Sequence, residues 1–145
     1  MAIVVPRVGE NELIRRIFNM TARKGGSLYI RLFTNNITLD DSIVLSSIQE
    51  VSDGSYEPIV VAQDSDVSIV DGVATIVQKT FNLPGNSSYA VYGYCVTVGN
   101  GTTGFGGGTP DANTELLWAE RFPTPFNIIS GTGGQIRVTP KIELE

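Results

Sequence analysis

From Ser27 onward the sequence keeps a period of two. Leu28, Ile30 and Leu32 alternate with Tyr29, Arg31 and Phe33. Successive side chains of an extended chain point to opposite faces, so such a run forms a strand with one face buried. Further candidate strands follow at short intervals, at Ile59–Ala62, Val67–Val70, Ala74–Phe81, Tyr89–Val98, Leu116–Phe122 and Gln135–Leu144. Residues with turn chemistry separate them: Asn35-Asn36, Asp53-Gly54, Asp71-Gly72, Pro84-Gly85-Asn86 and the stretch from Gly131 to Gly134. Many short strands with this punctuation predict an all-β fold, a β-sandwich of jelly-roll or Greek-key kind over residues 27–145. The stretch from Asp40 to Val51 fits either a short helix or an irregular crossing.

The residues before Ser27 read differently. Residues 1–9 form an extended arm, because Ala2, Ile3, Val4 and Val5 are apolar and mostly β-branched and Pro6 forbids helix continuation. A short helix is expected over residues 10–20. Leu13, Ile14, Ile17 and Phe18 make one apolar stripe at helical spacing, Glu10 and Glu12 sit in the first turn, and Glu12 precedes Arg16 by four residues. Lys24-Gly25-Gly26 closes the region. With 145 residues in all, residues 10–145 make one domain, large enough to bury a core without disulfides or metals.

Composition narrows the chemistry. The chain has no histidine and one cysteine, Cys95. Zinc sites built from His and Cys, Ser-His-Asp triads and Cys-His pairs are excluded within one chain, and no internal disulfide can form. The net charge of −5 disfavours a phosphate backbone or an anionic membrane surface as partner. No apolar run reaches membrane-spanning length, and Met1 to Pro6 is too short for a signal-peptide core. No cofactor is expected.

The glycine-rich stretch from Gly99 to Asn113 lacks the Lys-Ser/Thr ending and helix start of a phosphate loop, and reads as a long surface loop. A further reading has it ordering against a neighbouring subunit with Phe105 as anchor. Asp64, Asp66 and Asp71 before Gly72 lack the spacing of a calcium loop; Asp66 and Asp71 are expected to flank a strand and its turn. Glu115 and Glu120 have odd separation in one strand, so simple alternation puts them on opposite faces and rejects a glycosidase pair. The same alternation places Glu120 between Trp118 and Phe122, where Arg31 or Arg137 would balance its charge. Cys95 is expected to be a small buried apolar group beside Gly93 and Thr97. Tyr92, Tyr94 and Trp118 would be the stacking platforms if the domain bound carbohydrate. The sequons at Asn19, Asn36, Asn86 and Asn100 carry no weight without a secretory signal.

Four stretches carry a resemblance over nearly the whole chain: Leu32-Phe33-Thr34-Asn35-Asn36-Ile37-Thr38, Val91-Tyr92-Gly93-Tyr94-Cys95-Val96-Thr97, Leu116-Leu117-Trp118-Ala119-Glu120-Arg121-Phe122 and Val138-Thr139-Pro140, with Val4-Val5-Pro6-Arg7-Val8-Gly9-Glu10 before them. Their order and spacing resemble the small β-rich virion proteins of tailed bacteriophages. Gly54-Ser55-Tyr56 and the long glycine stretch before Leu116 depart from that pattern. The resemblance implies a non-enzymatic structural protein, made in the host cytoplasm and carried in the virion. Its first role would be capsid decoration (cement), with the major capsid protein or another virion protein as partner and a trimer or dimer as assembly. A tail, neck or fibre-associated protein is the alternative, and a carbohydrate- or host-surface-binding module a further one. The expected contact residues are Ala2, Ile3, Val4, Val5, Pro6 and Phe105. An apolar arm with nothing local to pair with would satisfy its backbone as a strand added to another subunit.

Overall fold

The alternation at Leu28, Ile30 and Leu32 does form a strand, β1 (Ser27–Phe33), and all three residues are fully buried. The computed structural model describes residues 27–40, 42–62, 65–99 and 114–143. The arm expected at residues 1–9, the helix expected at 10–20, Asp64 and Phe105 lie outside these residues. After β1 come a 3-10 turn at Leu45–Ser47 and eight strands: β2 (Ile59–Val61), β3 (Val67–Val70), β4 (Val73–Ile76), β5 (Lys79–Leu83), β6 (Tyr89–Gly99), β7 (Glu115–Ile128), β8 (Gly134–Val138) and β9 (Lys141–Glu143). The fold is all-β. Of the two readings of the stretch from Asp40 to Val51, the irregular crossing is the one observed, with the 3-10 turn as its one helical element among the described residues.

Three antiparallel sheets result, ordered β2-β1-β6-β7, β3-β4-β9 and β5-β8. β3 and β4 are joined by Asp71-Gly72, with φ of 51° and 78°. These left-handed values at both central residues are what a two-residue hairpin requires, and Asp and Gly tolerate them best.

Two predicted strands are each divided in two. The stretch Ala74–Phe81 separates into β4 and β5, and Gln135–Leu144 into β8 and β9. Thr75 pairs with Lys141 but Lys79 pairs with Val138, so the β4–β5 side holds one extra residue at the break. Pro140 sits at that break and has no N–H for a ladder, although its carbonyl still accepts the Ile76 N–H at 2.9 Å.

β7 runs past the predicted end at Phe122. Arg121 pairs with Gly93 and Phe126 with Val91, so Phe122-Pro123-Thr124-Pro125 stands opposite Tyr92 alone. Both prolines fall in this excursion, where no ladder hydrogen bond is lost. Beyond it the pairing resumes to Ile128.

One apolar core draws on every sheet. It gathers Leu28, Ile30 and Leu32 from β1, Val61, Ala74 and Ile76, Phe81 and Leu83, Val96 and Val98, and Ile136 and Val138. The opposite face of β1 is covered as well. There Phe33, Ile48 and Cys95 form a second cluster under the 34–51 connection, with Ile37, Leu39, Ile43, Tyr92, Leu116 and Ala119 packed around it. Gly93 permits this second layer. A Cβ at that position would stand 2.6 Å from Phe33 Cζ, so any side chain would collide with a buried ring.

Candidate assembly surface

Arg31 is on the second face of β1 and fully buried. Its Nη1 approaches both carboxylate oxygens of Glu50, at 3.4 Å and 3.2 Å, and its Nε donates to Thr97 Oγ1 at 2.9 Å. The guanidinium also stands 5.6 Å from the centre of the Tyr29 ring. Both side chains of the ion pair are without solvent contact. Burial of this depth costs each charge several kcal/mol, about what a close pair with added hydrogen bonds can offset.

Tyr56 completes the network. Its hydroxyl donates to Glu50 Oε1 at 2.8 Å and accepts the Leu32 N–H at 3.0 Å. That second bond has a topological reason. The β1–β2 ladder stops at the Ile30–Ile59 pair, and the chain next bridges β1 at Phe33–Glu50. The Tyr56 hydroxyl supplies the acceptor in the gap between them. Burial, followed by the negative charge of Glu50, pushes the Tyr56 phenol well above its usual range. Cys95, as expected, is buried, and its thiol is pushed up to about 12 by burial and then by Glu50, with Arg31 acting against the shift.

A second anchor lies three residues before Tyr56. The Asp53 carboxylate accepts the backbone N–H groups of Gly85 and Asn86 at 2.9 Å and 2.8 Å and the Tyr89 hydroxyl at 2.5 Å. Burial works to raise its pKa, and the three donors outweigh that and hold it below the usual carboxylate value. The Tyr89 phenol is raised in turn, by burial and by this acid. The segment 53–58 is thus tied at one end to the 84–86 turn and in its middle to β1.

Between these anchors the segment forms one wall of an open groove. Tyr56, Pro58, Ile59 and Val60 line one side, Thr80, Phe81 and Asn82 the other, around about 450 Å³. The Tyr56 and Phe81 rings stack at 5.9 Å and 20°. β2 is the end strand of the four-stranded sheet and β5 the end strand of the two-stranded one. The groove therefore runs between two sheet edges, each without a ladder partner on its outer side among the described residues. Chemically it combines the polar side chains of Ser55, Glu57, Thr80 and Asn82 with the apolar Pro58, Ile59 and Val60 beside strand edges, a combination that can receive an extended peptide.

The sequence does not single this groove out. Tyr56, Glu50 and Phe81 come together only in three dimensions, and Ile59-Val60-Val61 reads as a strand without any sign of its place at an edge. Glu120 has a different partner from the one expected. Arg31 is engaged with Glu50, and Glu120 Oε2 instead accepts the Tyr94 hydroxyl at 2.6 Å. Burial and this acid raise the Tyr94 phenol. Glu115 and Glu120 do not point to opposite faces. Val96 pairs with Trp118 and Thr97 with Leu116, so Leu117 is an extra residue that inverts the alternation, and both acids oppose the same face of β6, across from Val98 and Tyr94. Five residues of strand still separate them by about 15 Å, beyond the span of a glycosidase pair.

The remaining predicted residues fall as follows. Asp66 precedes β3, accepts the Ala62 N–H at 2.8 Å and pairs with Lys79 at 2.7 Å. Of the three candidate stacking aromatics, Tyr94 is buried, Trp118 packs on the core, and Tyr92 is half-buried with Arg121 5.6 Å from its ring centre. Among the described residues no cluster of three or more His, Cys, Asp or Glu side chains gathers to hold a metal, and no helix is long and apolar enough to cross a membrane. No protein family, curated protein or solved structure matches this chain.

Proposed function

We propose that this chain is a structural protein of a tailed-phage virion, with capsid decoration as its role and the major capsid protein as its partner. On this reading the three sheets make a two-layer β-sandwich, carried in many copies on the capsid surface, and the arm at Ala2 to Pro6 joins subunits. The observation that carries it is the groove between β2 and β5. Two neighbouring sheet edges without a ladder partner among the described residues, beside anchored walls, suit strand addition between subunits, the way small β domains are built into larger shells. Four carboxylates of the described body fit the same reading. Glu50, Asp53, Asp66 and Glu120 are each spent on holding a turn, a strand end or a ring in place.

The test is the copy number in purified particles, measured by mass spectrometry against the major capsid subunit. A ratio near one is expected. A ratio of a few per cent would move the protein to the tail or neck, and its absence from particles would overturn the virion reading.

A further inference from the structure

The groove between β2 and β5 does not end at Asn82. A second open hollow of about 550 Å³ adjoins it, lined by Ser55, Asn82, Leu83, Pro84, Thr132 and Gln135. Ser55 and Asn82 line both spaces. Asn82 is fixed in β5, opposite Gln135 of β8. Of the two shared residues, only Ser55 lies outside a strand.

The turn that carries Ser55 is held at its ends and at one point between. At one end Val51 lies in the core and donates its N–H to the Leu32 carbonyl at 3.1 Å. At the other, Tyr56 is buried, stacked on Phe81 and bonded to the Leu32 N–H. Between them Ser52, Gly54 and Ser55 are exposed. The Tyr56 N–H bonds back to the Asp53 carbonyl at 2.9 Å and closes a turn over Gly54, whose φ is 52°. Gly54 rests against Pro84, whose Cγ would stand 3.1 Å from a Cβ at that position. Among the described residues, the polar tie from residues 52–55 to the rest of the molecule is the Asp53 carboxylate, with the Gly85 and Asn86 N–H groups and the Tyr89 hydroxyl as its donors.

We infer that residues 52–55 form an acid-released flap: protonation of Asp53 detaches the turn from residues 84–86 while the sheets stay folded, and the two hollows become one longer groove. This goes beyond the assembly reading, because it holds whatever the groove receives. A carboxylate accepts from all three donors at once. Once protonated it loses the charge that strengthened those bonds, and its own hydrogen must face a donor. No group nearby replaces that charge. The 84–86 turn presents only N–H groups, β6 presents the Tyr89 hydroxyl, and no charged side chain contributes to the shift at Asp53. On its own segment Glu57 is exposed, and Glu50 is engaged with Arg31 and Tyr56. Residues 129–133, which pack on Gly85, include no titratable side chain. The donors hold Asp53 below 3.8, so the tie is complete above that value and is lost as pH falls through the lower, folded one. The hinges do not titrate with it, since Val51 and Tyr56 are held by the core and by bonds to the backbone of Leu32.

The experiment is amide-nitrogen relaxation on the full chain, at neutral pH and at about pH 3. The order parameters of Gly54 and Ser55 are expected to fall from about 0.85 to below about 0.6 as the carboxyl carbon signal of Asp53 reports its protonation, while Val51, Tyr56 and Val96 keep theirs. The proton contact between Gly54 and the Pro84 ring should vanish in step. Asp53→Asn is expected to show the loosened flap already at neutral pH, without further change in acid. Tyr89→Phe removes one donor and keeps the carboxylate, so it should move the transition to higher pH. A flap that stays ordered after Asp53 protonates would overturn the inference. So would a loss of order at Val96 in the same step, since acid would then be unfolding the sheets, and so would a transition that Tyr89→Phe leaves in place. If Asp53→Asn does not fold, the wild-type titration decides alone.

Discussion

The two faces of β1 are buried by opposite means. On one, Leu28, Ile30 and Leu32 join an apolar core assembled from every sheet. On the other, Arg31 and Phe33 are just as inaccessible, but beneath the 34–51 connection, and the burial there includes a salt bridge. The apolar face draws its stability from area removed from water and has no preferred partner. The polar face gains little net stability from its ion pair, but it fixes geometry: Glu50 and Tyr56 can be satisfied only if the connection crosses β1 in one register. One face supplies cohesion, and the other places the segment that walls the groove.

Breaking the polar face should therefore cost as much as breaking the apolar one. Arg31→Leu leaves the Glu50 carboxylate buried with the Tyr56 hydroxyl but without this guanidinium, and is expected to lose about 3–5 kcal/mol in urea unfolding. That matches or exceeds the roughly 2–5 kcal/mol for Leu32→Ala on the other face. A loss below about 1 kcal/mol would mean that water reaches Glu50, and the contrast between the faces would fail.

Asp53→Asn tests the second anchor. Three donors converge on this carboxylate, and an amide substitutes a donor for one acceptor. The expected loss at neutral pH is about 2–3 kcal/mol. Its pH dependence has a definite sign. The folded state holds the Asp53 pKa below 3.8, so the native protein binds fewer protons there than the unfolded chain. The stabilisation is complete above the unfolded pKa and is lost as pH falls through the folded one. The stability gap between wild type and variant, read from paired unfolding curves, should narrow below about pH 4. A gap that stays constant far into acid would mean that the charge of Asp53 contributes nothing.

Tyr56→Phe separates the two faces most finely, because Tyr56 belongs to both: its ring stacks on Phe81 and its hydroxyl enters the Glu50 network. Removing only the oxygen should cost about 1–2 kcal/mol, the loss of a shared hydrogen bond to a charged group and to the Leu32 N–H. Amide exchange at Leu32 should quicken more than at Ile30. Equal protection at both would show that the hydroxyl is not what closes the gap in the ladder.

The contrast also marks where the sequence was legible. Period two at Leu28, Ile30 and Leu32, and Asp71-Gly72 between two apolar runs, encode their structure locally, and β1, β3 and the first hairpin turn follow directly. What escaped is set by register between distant strands. Leu117 inverts alternation by one residue, so parity misplaces Glu115 relative to Glu120. The predicted strand ends at Phe122, yet β7 continues through Pro123 and Pro125 in an excursion that β6 tolerates at Tyr92. Arg31 alternates into a buried position with no sign of its partner, because Glu50 comes from a stretch without clear periodicity. The groove is invisible for the same reason: an edge is a property of the sheet order, not of any run of residues.

The smallest effect belongs to the other ion pair, Lys79–Asp66. At 2.7 Å it is shorter than the Arg31 contact, but each side chain keeps 18% of its surface in water. Length is therefore not the measure of what a pair contributes; the alternative open to each charge is. Lys79→Met leaves Asp66 with solvent and with the Ala62 N–H it already accepts, so the expected loss is below about 1 kcal/mol and shrinks with added salt. Asp66→Ala should cost more than Lys79→Met, since it also strips the acceptor from Ala62 at the end of β2. The Lys79 side chain and the Ala62 N–H hold that acid below its usual range, so the pair persists until the pH is well into the acid limb. If Lys79→Met proved as costly as Arg31→Leu, burial would not be what distinguishes the two pairs, and the account of the polar face of β1 would have to rest on strand position instead.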